Sequence, residues 1–143
     1  LAAAQETVQV FEGARCCAYE LTQHQAQLSA RLRELLAPAE GMTAAVYTEA
    51  LRLAATCRQQ LQGLWREHDV LLVPSASGEA PAGLEATGSP LFNRMWTLLH
   101  TPAVSLPGCT GPHGLPVGIQ LIGPLQEDDR LLALAAWAHP RLI

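Results

Sequence analysis

Apolar residues recur through the first half of the chain at the three- and four-residue spacing of helices, then collect in the second half into short runs bounded by Pro and Gly. Phe11, Ala14, Ala18 and Leu21 share one helical stripe, which loses its pattern at Gln23-His24-Gln25. Ser29 can accept a hydrogen bond from the free amides of Ala30-Arg-Leu-Arg-Glu-Leu-Leu36, and Pro38 and Gly41 end that second helix. Thr43 caps a third, on which Tyr47, Ala50, Ala54, Cys57, Leu61 and Leu64 form a stripe expected to run to about Glu67.

The second half reads differently. Asp69-Val-Leu-Leu-Val-Pro74 is a continuous apolar run ended by Pro, the pattern of a strand buried on both faces as in a parallel sheet. Ser75 to Ser89 is rich in Gly, Pro, Ala and Ser, and is expected to be an ordered loop lying against protein. Leu91 to Leu99 suits a helix, Ala103 to Leu106 a strand, and Val117 to Ile122 another strand with Val117, Ile119 and Leu121 on one face. Glu127, Asp128 and Asp129 stand where a helix start favours negative charge, ahead of Leu131-Leu-Ala-Leu-Ala-Ala-Trp137 and a stop at Pro140. The whole reads as α/β, mainly helical over 1–68 and built of strands, ordered loops and a closing helix over 69–143.

Charge sharpens this division. Between Val70 and Gln126 the only charged residues are Glu79, Glu85 and Arg94, whereas the helical half is charged throughout. A segment so poor in solvating groups is expected to be covered on most sides. The net charge of -4 comes with no basic cluster, which argues against nucleic acid as a partner. No apolar run approaches the roughly 18 residues of a membrane span, and the first residues lack the basic region of a signal peptide, so a cytoplasmic chain with reduced thiols is expected.

All nine basic residues are Arg, and the chain contains no Lys. That excludes a Walker-type phosphate loop, a Schiff base and a Ser-Lys catalytic pair within this sequence. There is no Gly-x-Ser-x-Gly elbow, His-Glu-x-x-His or dinucleotide fingerprint, so no cofactor is expected. Cys109 with His113 four residues on is a conceivable thiolate–imidazole pair, against which stands an ordinary small buried Cys beside a turn tip at Pro112-His113-Gly114. Asp128 and Asp129 read as a helix start rather than a metal site, and no metal is expected. Phe92 and Trp96, at helical spacing, are either core packing or the lining of an apolar substrate pocket with Asn93 as its polar handle.

An ordered set of short patterns spans nearly the whole chain: Phe11-Glu12, Asp69-Val-Leu-Leu-Val-Pro74, Ala80-Pro81, Thr87-Gly88 before Pro90-Leu-Phe-Asn93, Trp96-Thr97, Pro102-Ala103 and Ser105-Leu-Pro107. Gly114-Leu-Pro-Val-Gly-Ile-Gln-Leu-Ile-Gly123, with the acidic-then-Leu-Leu helix after it, completes the set. In these the chain resembles the carboxy-terminal part of amidase-signature enzymes. The resemblance implies a large α/β unit, a mixed sheet covered by helices, of which residues 1–143 are a single partial domain. It implies amide hydrolysis or transfer by a Ser, cis-Ser and Lys in a Gly- and Ser-rich region toward the amino terminus.

None of Ser29, Ser75, Ser77, Ser89 and Ser105 has such surroundings, so no catalytic residue carries over. His100 stands where the family more often has a small residue, usually Gly, before the x-Pro. Expected partners are a small amide substrate in the complete enzyme, and either an amino-terminal region or self-association to cover the core. The competing expectation is a non-catalytic module, derived from the same family, that binds a ligand or partner chain; a Cys109-dependent enzyme is a third.

Overall fold

A computed structural model describes residues 1–142. They form helices α1 (Ala2–Cys16), α2 (Ala18–Gln23), α3 (Ala30–Leu36) and α4 (Ala44–Leu64), strand β1 (Leu71–Pro74), helix α5 (Arg94–Leu99), strands β2 (Ala103–Thr110) and β3 (Pro116–Ile122), and helix α6 (Asp128–Ala138). The chain divides into two compact units, Leu1–Cys57 and Arg58–Ile143, with the division falling inside α4. This is an α/β arrangement of helices and one small sheet.

The stripe on α4 becomes a buried or half-buried face as far as Leu61. In the first unit, by contrast, the first stripe is interrupted: the chain breaks at Cys17 between α1 and α2, and of its residues Phe11 is buried, Ala14 and Leu21 half-buried and Ala18 exposed. Val10 and Phe11 of α1, Leu36 of α3, and Ala50 and Ala54 of α4 are buried. A Cβ at Gly13 would lie 2.9 Å from Leu36 Cδ2, so the absence of a side chain there lets α1 and α3 approach. The Phe11 ring stacks on Tyr47 with centroids 4.2 Å apart. Tyr47 Oη also donates to Glu12 Oε1 at 2.7 Å, and losing that bond on ionisation raises the phenol above its ordinary pKa. Ser29 caps α3 by accepting from the Leu32 amide at 3.2 Å, and Thr43 Oγ1 accepts from the Val46 amide at 3.4 Å at the start of α4. The α4 pattern ends at Leu64 rather than Glu67: after Gly63 the amides of Arg66 and Glu67 bond to carbonyls three residues back, tightening the chain into turns.

In the second unit the strand order is β1-β3-β2, with both pairings antiparallel. The expectation of a parallel strand at 69–74 is therefore corrected. Leu71↔Ile122 and Leu72↔Leu121 pair in opposite directions, and burial along β1 alternates, leaving Leu72 at 61% exposure. The continuous apolar run was a poor guide because β1 lies at an edge of this sheet, where one face and one rim stay open.

The β2–β3 hairpin carries a bulge between Pro107 and Cys109, which places Gly108 out of register. A Cβ there would meet Ile119 Cγ2 and the Val117 carbonyl at 3.0 Å, so glycine fits where the bulge crowds the neighbouring strand. Pro107 is tolerated because β2 is an edge strand with one row of unpaired positions. Leu121 packs with Leu131 and Ala135 of α6, surrounded by Val70, Val104, Leu106 and Ala138. Asp128 and Asp129 occupy the first turn of α6, as their sequence position implied.

Helix α5 is shorter than expected and begins at Arg94, because the Pro90 carbonyl accepts from the amides of both Asn93 and Arg94 and so forms the preceding turn. It ends in a Schellman motif: His100 is left-handed at φ 58°, its amide bonds to Thr97 O, and the Thr101 amide bonds to Trp96 O. A glycine at this position, having no Cβ, would avoid the clash that His100 must accept.

Candidate functional site

An open cavity of about 1260 Å³ lies within the second unit, between segments 75–82 and 87–89, strand β2 and the 112–116 turn. Its floor is made close-fitting by Gly118, where a Cβ would come within 2.4 Å of Ser75 Oγ and 3.1 Å of Ser105 Oγ. Ser105 Oγ donates to the Ile119 carbonyl at 3.4 Å and is thus tied to the sheet. The loop expected to lie against protein does so only in its first part: residues 80–90 are exposed, with Leu84 fully so. Its small, largely uncharged side chains have few partners within this unit.

The cavity's one carboxylate is Glu79, whose side chain is only 9% exposed. Oε1 accepts from the amides of His113 at 2.9 Å and Leu115 at 3.0 Å, and Oε2 accepts from His113 Nδ1 at 2.6 Å. Burial pushes this carboxyl's pKa up, but the bonds from the imidazole and the two amides outweigh it, and the net position is below the ordinary glutamate range. His113 itself is 83% exposed at the turn tip. Its Nδ1 is engaged by Glu79 rather than by Cys109, and Cys109 is exposed, a placement that gives the thiolate–imidazole reading no support. Cys16, Cys17, Cys57 and Cys109 are all unbridged.

Phe92, Asn93 and Trp96 fall beside this cavity's segments in the fold but not in its lining. Phe92 precedes α5 in the turn, so it does not share a regular helical face with Trp96 as the spacing suggested. Asn93 Nδ2 donates to Ser75 O at 3.1 Å, anchoring the turn to the start of the 75–82 segment. Trp96 is half-buried, and its Nε1 is buried without a hydrogen-bond partner among the described residues.

The turn is tied to the sheet by Gln120, a buried polar residue at 3% exposure. Its Nε2 donates to Pro74 O at 3.0 Å and to Phe92 O at 2.8 Å, so both amide hydrogens are used to join β3, the end of β1 and the turn before α5. In the sequence Gln120 lies within the Gly114–Gly123 string, where no local pattern assigns it a task. Glu79 was legible only as a rare charge in an uncharged stretch.

The amidase family model matches residues 20–132. The chain belongs to that family. Curated relatives include a glutamyl-tRNA(Gln) amidotransferase subunit from Rhodopirellula baltica, 36% identical over 100 residues that make up 65% of this chain and 20% of the relative. The protein of the same name from Rhizorhabdus wittichii is 37% identical over 97 residues, 62% of this chain and 20% of its own. The chain thus spans about a fifth of the length of these relatives.

Among solved structures, an amidase is similar over 99% of this chain and 35% of its own, with a TM-score of 0.89 and 28% identity. A 6-aminohexanoate cyclic dimer hydrolase complexed with substrate aligns over 99% of this chain and 35% of its own, at a TM-score of 0.78 and 19% identity, a likeness of fold alone. The resemblance seen in the sequence motifs and the α/β fold are both borne out. Among the described residues, no helix is long and apolar enough to cross a membrane.

Proposed function

We propose that this chain is the carboxy-terminal portion of an amidase-signature enzyme that hydrolyses a carboxamide, or transfers from it, by Ser-based acyl transfer. The family match over residues 20–132 carries this reading. Relatives described as amidotransferase subunits match this chain in sequence and a solved neighbour described as an amidase shares its fold, which supports both outcomes.

Residues 1–143 then act as one partial domain of a cytoplasmic enzyme, supplying strands, covering helices and part of the pocket. The nucleophile, its cis-Ser partner and the Lys lie outside this sequence, which has no Lys to complete such a site. Phe92 and Trp96 provide apolar walls of the pocket in the complete enzyme and Asn93 its polar edge. The bond from Asn93 Nδ2 to the carbonyl of Ser75, a lining residue of the open cavity, supports this by holding the turn at the cavity's edge.

The test is amide turnover by the isolated 143-residue chain, measured as ammonia or amine release across aryl, aliphatic and glutaminyl amides. No turnover is expected. Reproducible release by a sequence-verified preparation, free of contaminating amidase, refutes the reading. Loss of turnover on Trp96→Ala in the longer enzyme, with KM raised more than kcat is lowered, is the result expected of a pocket wall.

Exposed Leu72, Leu84 and Leu91, together with the open rims of β1 and β2, favour a second reading. In it the chain is a non-catalytic module that binds a ligand or a partner chain over these surfaces. Self-association of the isolated chain that protects the β1 and β2 rims from amide exchange would favour it.

A further inference from the structure

We propose that Glu79 is a positioning clamp for the wall of the open cavity: its carboxylate, seated in the 111–115 turn, holds segment 75–82 in place, and unseating it opens the cavity. Four features of the backbone serve that seating. Gly78 precedes Glu79 at φ 152°, a conformation that favours glycine and turns the chain so that the side chain enters the sheet end. Gly111 leaves room for it, since a Cβ there would fall 2.4 Å from Glu79 Cγ and 2.5 Å from Cδ and Oε1. The amides of His113 and Leu115 both point at Oε1. The turn that presents them is closed independently by Gly111 N to Leu115 O at 2.9 Å and Gly114 N to Gly111 O at 3.1 Å, with Gly114 left-handed at φ 83°.

A nest of converging amides prefers an anion, and here the anion comes from 34 to 36 residues away along the chain. The contact therefore joins two loops that share no strand. Segment 75–82 is otherwise tied down near its start, by Asn93 Nδ2 on Ser75 O and by the Ser75 amide on Gly118 O. Beyond Glu79 the residues are exposed. Glu79 is thus the last anchor before the free stretch, and its release lengthens that stretch on the cavity side. Gly111 and Leu115 present only main chain to the carboxylate, and His113 is the titratable group bonded to it among the described residues.

The clamp does not depend on amide chemistry and is tested on the 143-residue chain itself by amide NMR and hydrogen exchange. In the unmodified chain the His113 and Leu115 amide resonances are expected to share a titration step, that of Glu79, with its midpoint below the ordinary glutamate range. Glu79→Ala is expected to abolish that step and to speed exchange at the His113 and Leu115 amides on the order of tenfold, while Leu121 and Ile122 keep their protection. Gly111→Ala, which keeps the carboxylate but evicts it, is expected to do the same. His113→Ala, which removes one of three bonds, is expected to have a smaller effect.

Several results overturn the proposal. One is the absence of a shared titration step, and another is unchanged exchange in Glu79→Ala. A Gly111→Ala chain that behaves as the unmodified one also refutes it. So does loss of Leu121 and Ile122 protection in both Glu79→Ala and Gly111→Ala, which shows general unfolding rather than release of one loop.

Discussion

Replacing Gln120 by Leu removes the two donors that join β3 to the end of β1 and to the turn before α5, while keeping the side chain's approximate volume. The carbonyls of Pro74 and Phe92 are left without their partner. A fully buried carbonyl stranded in this way costs about 1–3 kcal/mol. Pro74 is exposed and Phe92 half-buried as residues, so water reaches part of each, and the lower end of the range applies. The sum is about 2 kcal/mol, or roughly 6–8 °C in Tm for a chain of this size.

The three tryptophans, Trp65, Trp96 and Trp137, all lie in the Arg58–Ile143 unit, so their fluorescence during urea unfolding reports on the unit that contains Gln120. Gln120→Glu makes a sharper companion. At neutral pH its carboxylate has no hydrogen to donate and faces two carbonyl oxygens, so it is expected to destabilise more than Leu and to recover on acidification as the carboxyl gains a proton. A Leu variant within about 0.5 kcal/mol of the unmodified chain, or a Glu variant as stable as it at neutral pH, refutes the reasoning.

Leu131→Ala, at a position 2% exposed against Leu121 and Ala135, is expected to lose about 3 kcal/mol in the same urea assay. His100→Gly is expected to stabilise by about 0.5–1 kcal/mol: relief of the left-handed strain gives about 1–2, and the extra freedom of Gly in the unfolded chain takes back about 0.5–1. Ser29→Ala, which removes the cap on the Leu32 amide, is expected to cost about 1 kcal/mol, read by amide exchange in α3. Because the folded-state pKa of Glu79 is lowered, its contribution is complete above the ordinary glutamate range and fades as pH falls through the lowered value. Acid unfolding monitored by fluorescence is therefore expected to steepen below that range, and to lose this component in Glu79→Ala.

Periodicity in the sequence placed α3, α4 and α6, and Ser29 and Thr43 marked the caps of α3 and α4, because a three-and-four stripe and a Ser or Thr before it act over a few residues; it did not show the break at Cys17 between α1 and α2. The ordered motifs likewise pointed to the family that the match over residues 20–132 shows. What periodicity did not determine was the partner of each strand. The run at 69–74 fits either sheet type, and only pairing with β3 made it antiparallel.

The same limit governed the site. Phe92 and Trp96 looked like one helical face until the Pro90 turn moved the helix start to Arg94. Glu79 and His113 are 34 residues apart, and Gln120 is 46 from Pro74, so no local pattern could pair them. Hydrogen bonds that close long loops are chosen by the packed sheet, which brings the donors and acceptors together and excludes the water that would otherwise satisfy them.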